Sequence, residues 1–217
     1  MFDESYWEPR FTAFLAQRLT QPDAAHAEGY IRRVVRNARA IAVGEGADLT
    51  VVLPAAWLHD CVSVPADSLQ APLAATMSAT TASAFLMGSG YSPFLIPAVA
   101  HAIIAHSPSS GVAPLTNEAR VVQDATRLDA LGAVGLARCL MQGGQRGLQL
   151  YEPSEPFPVQ RTPDSTVAVL DYFYTKLLPL AATLTTATGR TEAEHRTAFL
   201  RAFLRQLGHE LGTPAPE

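Results

Sequence analysis

Cysteine is scarce: Cys61 and Cys139 are the only two among 217 residues. Two thiols cannot build the disulfide framework of a small secreted domain, so a reducing, cytoplasmic compartment is expected. Long apolar runs are missing as well, since no uncharged stretch reaches the ~18 residues that span a bilayer. The opening residues Met1-Phe2-Asp3-Glu4-Ser5 are acidic and lack the basic-then-apolar order of an export signal. The protein is therefore expected to be neither exported nor held in a membrane. Basic stripes are absent too. With a formal net charge of −4 and scattered arginines, no nucleic-acid polymer is the expected partner, and a small molecule is. Strand-like alternation, internal repeats and low-complexity segments are also missing.

What is present is helical periodicity, with apolar residues recurring at three- and four-residue intervals in a chain that is 48% hydrophobic and 17% charged. The class is all-α, with enough apolar material for a sizeable core. A first helix is expected over about Ser5 to Leu19, followed by a break at Pro22-Asp23. A second runs from about Ala24 to Glu45, with Ile31, Val34, Val35, Ala38, Ile41 and Ala42 as its buried stripe. Asp48 is a plausible N-cap for a third, which Pro54 interrupts unless it falls in the first turn. Further helices are expected from about Leu73 to Met87 and from about Pro93 to Ala105. Thr116 or Asn117 caps the next, and Gly132 and Gly135 allow close packing over Leu128 to Leu140 before Gly143-Gly144 stops that helix. Four prolines between Tyr151 and Pro163 predict an ordered loop or flap. Two last helices follow, about Ser165 to Leu184 and about Thr191 to Leu211, the second opened by the capping box Thr191-Glu192-Ala193-Glu194. One domain over 1–217 is expected, with a core at about 20–140 and C-terminal helices at about 165–211.

The chemistry concentrates at His59-Asp60, which follows the apolar run Val51-Val52-Leu53-Pro54-Ala55-Ala56-Trp57-Leu58. An imidazole and a carboxylate at the end of a buried stretch need a reason, and metal coordination supplies one. Asp124 lies in another apolar run, Ala119-Arg120-Val121-Val122-Gln123-Asp124. A mixed His/Asp set suits Mg²⁺, Mn²⁺ or Fe²⁺, with open positions for water. Such an ion polarises a phosphoryl oxygen and lowers the pKa of a bound water, so phosphate esters and anhydrides are natural substrates. Against this, a His-Asp dipeptide also arises by chance, and a buried aspartate also caps helices or pairs with an arginine such as Arg127.

The order His, His-Asp, Asp on an all-α chain resembles the HD-domain superfamily of metal-dependent phosphohydrolases. Several stretches look like one bacterial subfamily that includes nucleotide pyrophosphohydrolases. They are Asp23-Ala24-Ala25-His26, Ile31-Arg32-Arg33-Val34, Ala55-Ala56-Trp57-Leu58-His59-Asp60, His101-Ala102-Ile103-Ile104-Ala105-His106-Ser107 and Val121 to Gly132. Tyr172-Phe173-Tyr174-Thr175-Lys176 and Thr188-Gly189-Arg190 extend the likeness over roughly residues 5 to 211. The resemblance implies a helical bundle holding one divalent metal between a histidine of the second helix, the His-Asp pair and a later aspartate.

His59, Asp60 and Asp124 match those positions. The subfamily pattern His-Asp-x-x-His-x-x-Arg-Val has its second histidine as the expected ligand, and here that register places Tyr30. A phenol with a pKa near ~10 is a poor ligand for these ions unless it is deprotonated. His26 lies one turn away, roughly 5.4 Å along a helix. The resemblance thus implies a phosphohydrolase with weakened metal binding, or a metal-free relative with a binding or regulatory role. Asp60 and His101 are the candidate catalytic groups. Arg33, His106, Arg127, Lys176 and Arg190 are candidates for substrate phosphate, since guanidinium groups offer bidentate contacts.

Overall fold

The structure is a computed structural model that describes residues 2–18, 28–65 and 68–216. The described residues are helical apart from turns, loops and one isolated bridge between Gln149 and Ala168, as an all-α chain requires. Two compact units divide the chain, residues 1–126 and 127–217.

The first unit contains α1 (Glu4–Arg18), α2 (Glu28–Glu45), α3 (Leu49–Leu58), α4 (Ala74–Gly88), α5 (Ile96–His106) and most of α6 (Asn117–Leu128). The expected beginning of the second helix at Ala24, the break at Pro22-Asp23 and His26 lie outside the described residues. Helix α3 is central and packs against α1, α2, α4 and α5. All eight residues from Val51 to Leu58 are buried, which is why this segment shows no polar face: a helix covered on every side has no use for one. Trp57 and Phe85 both meet Phe11 of α1, at ring-centroid distances of 6.1 Å. Asp48 caps α3 as expected, its carboxylate accepting from the Thr50 amide at 2.8 Å.

Pro54 does not interrupt α3, although it is the sixth residue of the helix. A proline there has no N–H for the carbonyl four residues back, which is that of Thr50. The Tyr91 hydroxyl, approaching from the segment before α5, donates to the Thr50 oxygen instead. Tertiary structure thus replaces the hydrogen bond that the sequence removes, and burial pushes the Tyr91 phenol up to about 12, so it stays a donor.

The second unit holds the end of α6, α7 (Gly132–Gln145), α8 (Val169–Tyr172), a π-helical turn at Phe173–Leu177, α9 (Leu178–Leu180) and α10 (Ala187–Leu211). The expected stop at Gly143-Gly144 is wrong, because α7 runs through both. A Cβ at Gly143 would sit 2.2 Å from Val169 Cγ2, so this glycine serves close approach to α8 rather than termination. The helix ends at Gln145 with Arg146 as its C-cap, and the chain then turns at Gly147, whose φ of 68° only glycine adopts cheaply.

The loop over 151–163 is ordered. Arg161 spans both oxygens of buried Asp171 at 2.5 and 2.6 Å, a bidentate clamp that fixes the proline-rich segment. Helix begins at Val169 rather than Ser165 and widens into a π-helical turn at Phe173–Leu177, where the Leu178 amide bonds to the Phe173 carbonyl five residues back. The capping box at Thr191 is a further correction. Thr186 caps α10, accepting from the Gly189 amide at 3.1 Å, while Thr191 lies inside the helix and donates to the Ala187 carbonyl.

Candidate metal centre

Two helices of the first unit end at the same place. His59 is the C-cap of α3 and Asp60 follows it; His106 is the last residue of α5. Both helices present carbonyl-rich, negative ends there, an environment that favours a cation.

The two imidazoles are held alike. His59 Nδ1 lies 2.8 Å from the Ala56 carbonyl oxygen, and His106 Nδ1 lies 2.5 Å from that of Ile103. A carbonyl oxygen only accepts, so each neutral ring carries its proton on Nδ1 and turns an Nε2 lone pair outward. Between those lone pairs stands Asp60, with Oδ2 3.3 Å from His59 Nε2 and Oδ1 3.6 Å from His106 Nε2. The rings are edge to face, centroids 4.9 Å apart.

Ligand atoms from all three residues lie within 4.8 Å of one another. Two atoms each bound at about 2.1 Å to one ion, at angles between octahedral and tetrahedral, are about 3.0 to 3.4 Å apart. The 3.3 Å pair already has that spacing, and the 3.6 Å pair comes within about 0.2 Å of it, so a cation shared by the three residues would require only a small approach of His106 and Asp60. His59 is wholly buried and Asp60 is 32% exposed, so the carboxylate is the member of the cluster that reaches solvent.

Burial, with His59 as a second cause, pushes the His106 imidazole down to about 4. It is neutral near pH 7, and its contact with Asp60 is not an ion pair. Because the folded pKa lies below the unfolded value of ~6.5, the unfolded chain takes the proton first. Stability of the metal-free protein is then complete above about pH 6.5 and lost as the pH falls toward about 4, by up to about 1.4 kcal/mol per pH unit. Urea midpoints between pH 7.5 and 4.5 measure this, and His106→Gln flattens the profile.

Asp124, on α6, is fully buried but does not belong to the three-residue cluster. Tyr30, on α2, is buried, and its hydroxyl is 3.1 Å from His59 Nε2. His101 lies on α5, where its Nε2 accepts from the Leu115 amide at 3.1 Å and so anchors the loop before α6. Arg33 is half-buried on α2, one turn after Tyr30. The remaining candidates belong to the second unit. Arg127 donates to the Thr183 carbonyl, Arg190 donates to that of Thr185, and Lys176 is exposed in the π-helical turn.

A family model for the HD domain matches residues 31–131. The uncharacterised protein YpgQ of Bacillus subtilis is 32% identical over 197 residues, which cover 89% of this chain and 88% of YpgQ. The chain belongs to the HD-domain family. A crystal structure of YpgQ in complex with ADP resembles this HD protein with a TM-score of 0.73 at 31% identity, covering 95% of this chain and 96% of that one. An HD-superfamily hydrolase from Bacillus thuringiensis gives a TM-score of 0.74 at 28% identity, covering 97% and 99%. The HD protein thus has the fold of the HD-superfamily hydrolases.

The resemblance puts His106 among the candidates for substrate contact, and the structure sets it beside His59 and Asp60. A signal for the closer role existed. Each of the two histidines closes an apolar helix, after Val51 to Leu58 in one case and Ala102 to Ala105 in the other, and each reaches a backbone carbonyl three residues back.

Proposed function

We propose that this protein is a metal-dependent phosphohydrolase acting on a small phosphate ester or nucleotide anhydride in the cytoplasm. The observation that carries the reading is the convergence of His59 Nε2, His106 Nε2 and the Asp60 carboxylate at the ends of α3 and α5. These three residues, with Asp124 as a further carboxylate, would hold a divalent cation such as Mn²⁺, Mg²⁺ or Fe²⁺. When bound, the cation supplies Lewis-acid chemistry for attack of water on phosphorus.

The protein groups do the rest. The Ala56 and Ile103 carbonyls hold both imidazoles in the tautomer that leaves Nε2 unprotonated. Asp60, partly exposed at the edge of the buried cluster, is the group to which we assign taking a proton from water. Phosphate needs cationic partners, for which Arg33, Arg127, Lys176 and Arg190 are the candidates, with His101 as a candidate for proton transfer. The ADP bound to a YpgQ crystal supports a nucleotide as the class of ligand to test first. No described helix is long and apolar enough to cross a membrane.

The contact between the Tyr30 hydroxyl and His59 Nε2 favours a second reading, a catalytically impaired relative that binds its ligand without turning it over. Metal analysis of the purified protein, with hydrolysis assays on nucleoside di- and triphosphates and a chromogenic phosphodiester in Mn²⁺, separates the two. Stoichiometric metal and metal-dependent turnover are expected. ADP binding without metal and without turnover would instead establish the second reading.

A further inference from the structure

We infer that the Tyr30 hydroxyl is a built-in competitor of the metal, an inference that rests on the metal site proposed above. The competition follows from the tautomer of His59. Its Nδ1 faces the Ala56 carbonyl, which can only accept, so Nε2 of the neutral ring is an acceptor. Asp60 Oδ2 lies 3.3 Å and the Tyr30 hydroxyl 3.1 Å from that nitrogen. An ionised carboxylate has no proton to give, whereas a phenol has one. The Tyr30 O–H therefore donates into the lone pair that a cation at this cluster would have to use.

The tyrosine is held for this role. It is 8% exposed, and its ring meets that of His59 edge-on at 5.5 Å, with α2 packed on α3. Loading the site is then an exchange: the O–H···Nε2 bond is given up and a metal–nitrogen bond replaces it. The phenol stays neutral and its proton stays with it, so no other reactant is needed.

A neutral hydrogen bond of this kind contributes modestly, so the competition lowers metal affinity by about threefold to tenfold. Tyr30→Phe keeps the ring and removes the competitor. Calorimetric titration with Mn²⁺ at pH 8, comparing the wild-type protein, Tyr30→Phe and Asp60→Asn, is expected to show tighter binding by Tyr30→Phe by that factor and weaker binding by Asp60→Asn. A phenylalanine that leaves affinity unchanged or weakens it, while Asp60→Asn still weakens it, overturns the role of Tyr30 but not the metal site. If no protein in the series binds Mn²⁺, both fall.

A second readout needs no metal. In the metal-free wild-type protein, the ¹⁵N resonance of His59 Nε2 is expected below the position of an unbonded imidazole acceptor, and in Tyr30→Phe it moves back toward it. A wild-type resonance already at the unbonded position overturns the inference.

Discussion

Mn²⁺ is expected to raise the melting temperature through the proposed metal site, and Asp60→Ala to abolish that rise and reduce metal affinity on the order of 100-fold. A hydrogen bond to a charged group already contributes about 1.5 to 3 kcal/mol, which is roughly 10- to 150-fold, and a direct carboxylate contact with a dication is stronger. The effect is large because of where the carboxylate stands. It faces both Nε2 atoms, at 3.3 and 3.6 Å, so its loss leaves two neutral imidazoles without the carboxylate that stands between them. The proposed hydrolysis should fall by at least the same factor, since Asp60 is the partly exposed member of the cluster. Differential scanning calorimetry with and without Mn²⁺ gives the measurement. A variant whose melting temperature still climbs with metal as the wild type does would remove Asp60 from the ligand set.

Gly135→Ala is expected to destabilise the protein by at least about 3 kcal/mol, lowering the melting temperature by roughly 6 to 12 °C. In α7 a Cβ at this position would lie 2.1 Å from the Ala130 carbonyl oxygen and 2.2 Å from its carbon. The obstacle is backbone in a tight turn, where the Ala130 and Leu131 amides bond to the Arg127 and Leu128 carbonyls, so it cannot swing aside as a side chain would. Gly144→Ala is the comparison. It meets nothing within 4 Å inside the same helix, so the gain in helix propensity should stabilise by up to about 1 kcal/mol. Chemical denaturation of both variants tests the pair, and equal midpoints would mean that α7 shifts freely away from the turn.

Much of the first unit was legible in the sequence because local rules and burial agree there. The apolar run Val51 to Leu58 is a core helix, Asp48 caps it, and the His-Asp pair stands at its end. Pro54 was misread because the hydroxyl that satisfies Thr50 comes from Tyr91, forty-one residues away, and no local rule reports such a partner. The errors in the second unit have the same origin. Gly143 reads as a stop until the position of Val169 is known, and Thr191 to Glu194 has the pattern of a helix start although Thr186, earlier in the chain, is better placed to accept from Gly189. At the candidate centre, His59 and Asp60 were visible as neighbours in sequence. Tyr30 stood out by its register, but its bond to His59 Nε2 depends on how α2 packs against α3. His106 enters by the packing of α5 against α3, and periodicity says which face of a helix is buried but not which residue lies level with which across the contact.

The clips from His59 and His106 to their own helix carbonyls have a mechanical consequence. Each ring is indexed to its helix rather than to the site, so neither imidazole can swivel to make up for a misplaced partner. Sliding α5 by a single residue along α3 would shift His106 by about 1.5 Å and rotate its direction by about 100°. The distance between the two Nε2 atoms is accordingly a gauge of packing register, and the cluster assembles only when α3 and α5 have found their native alignment.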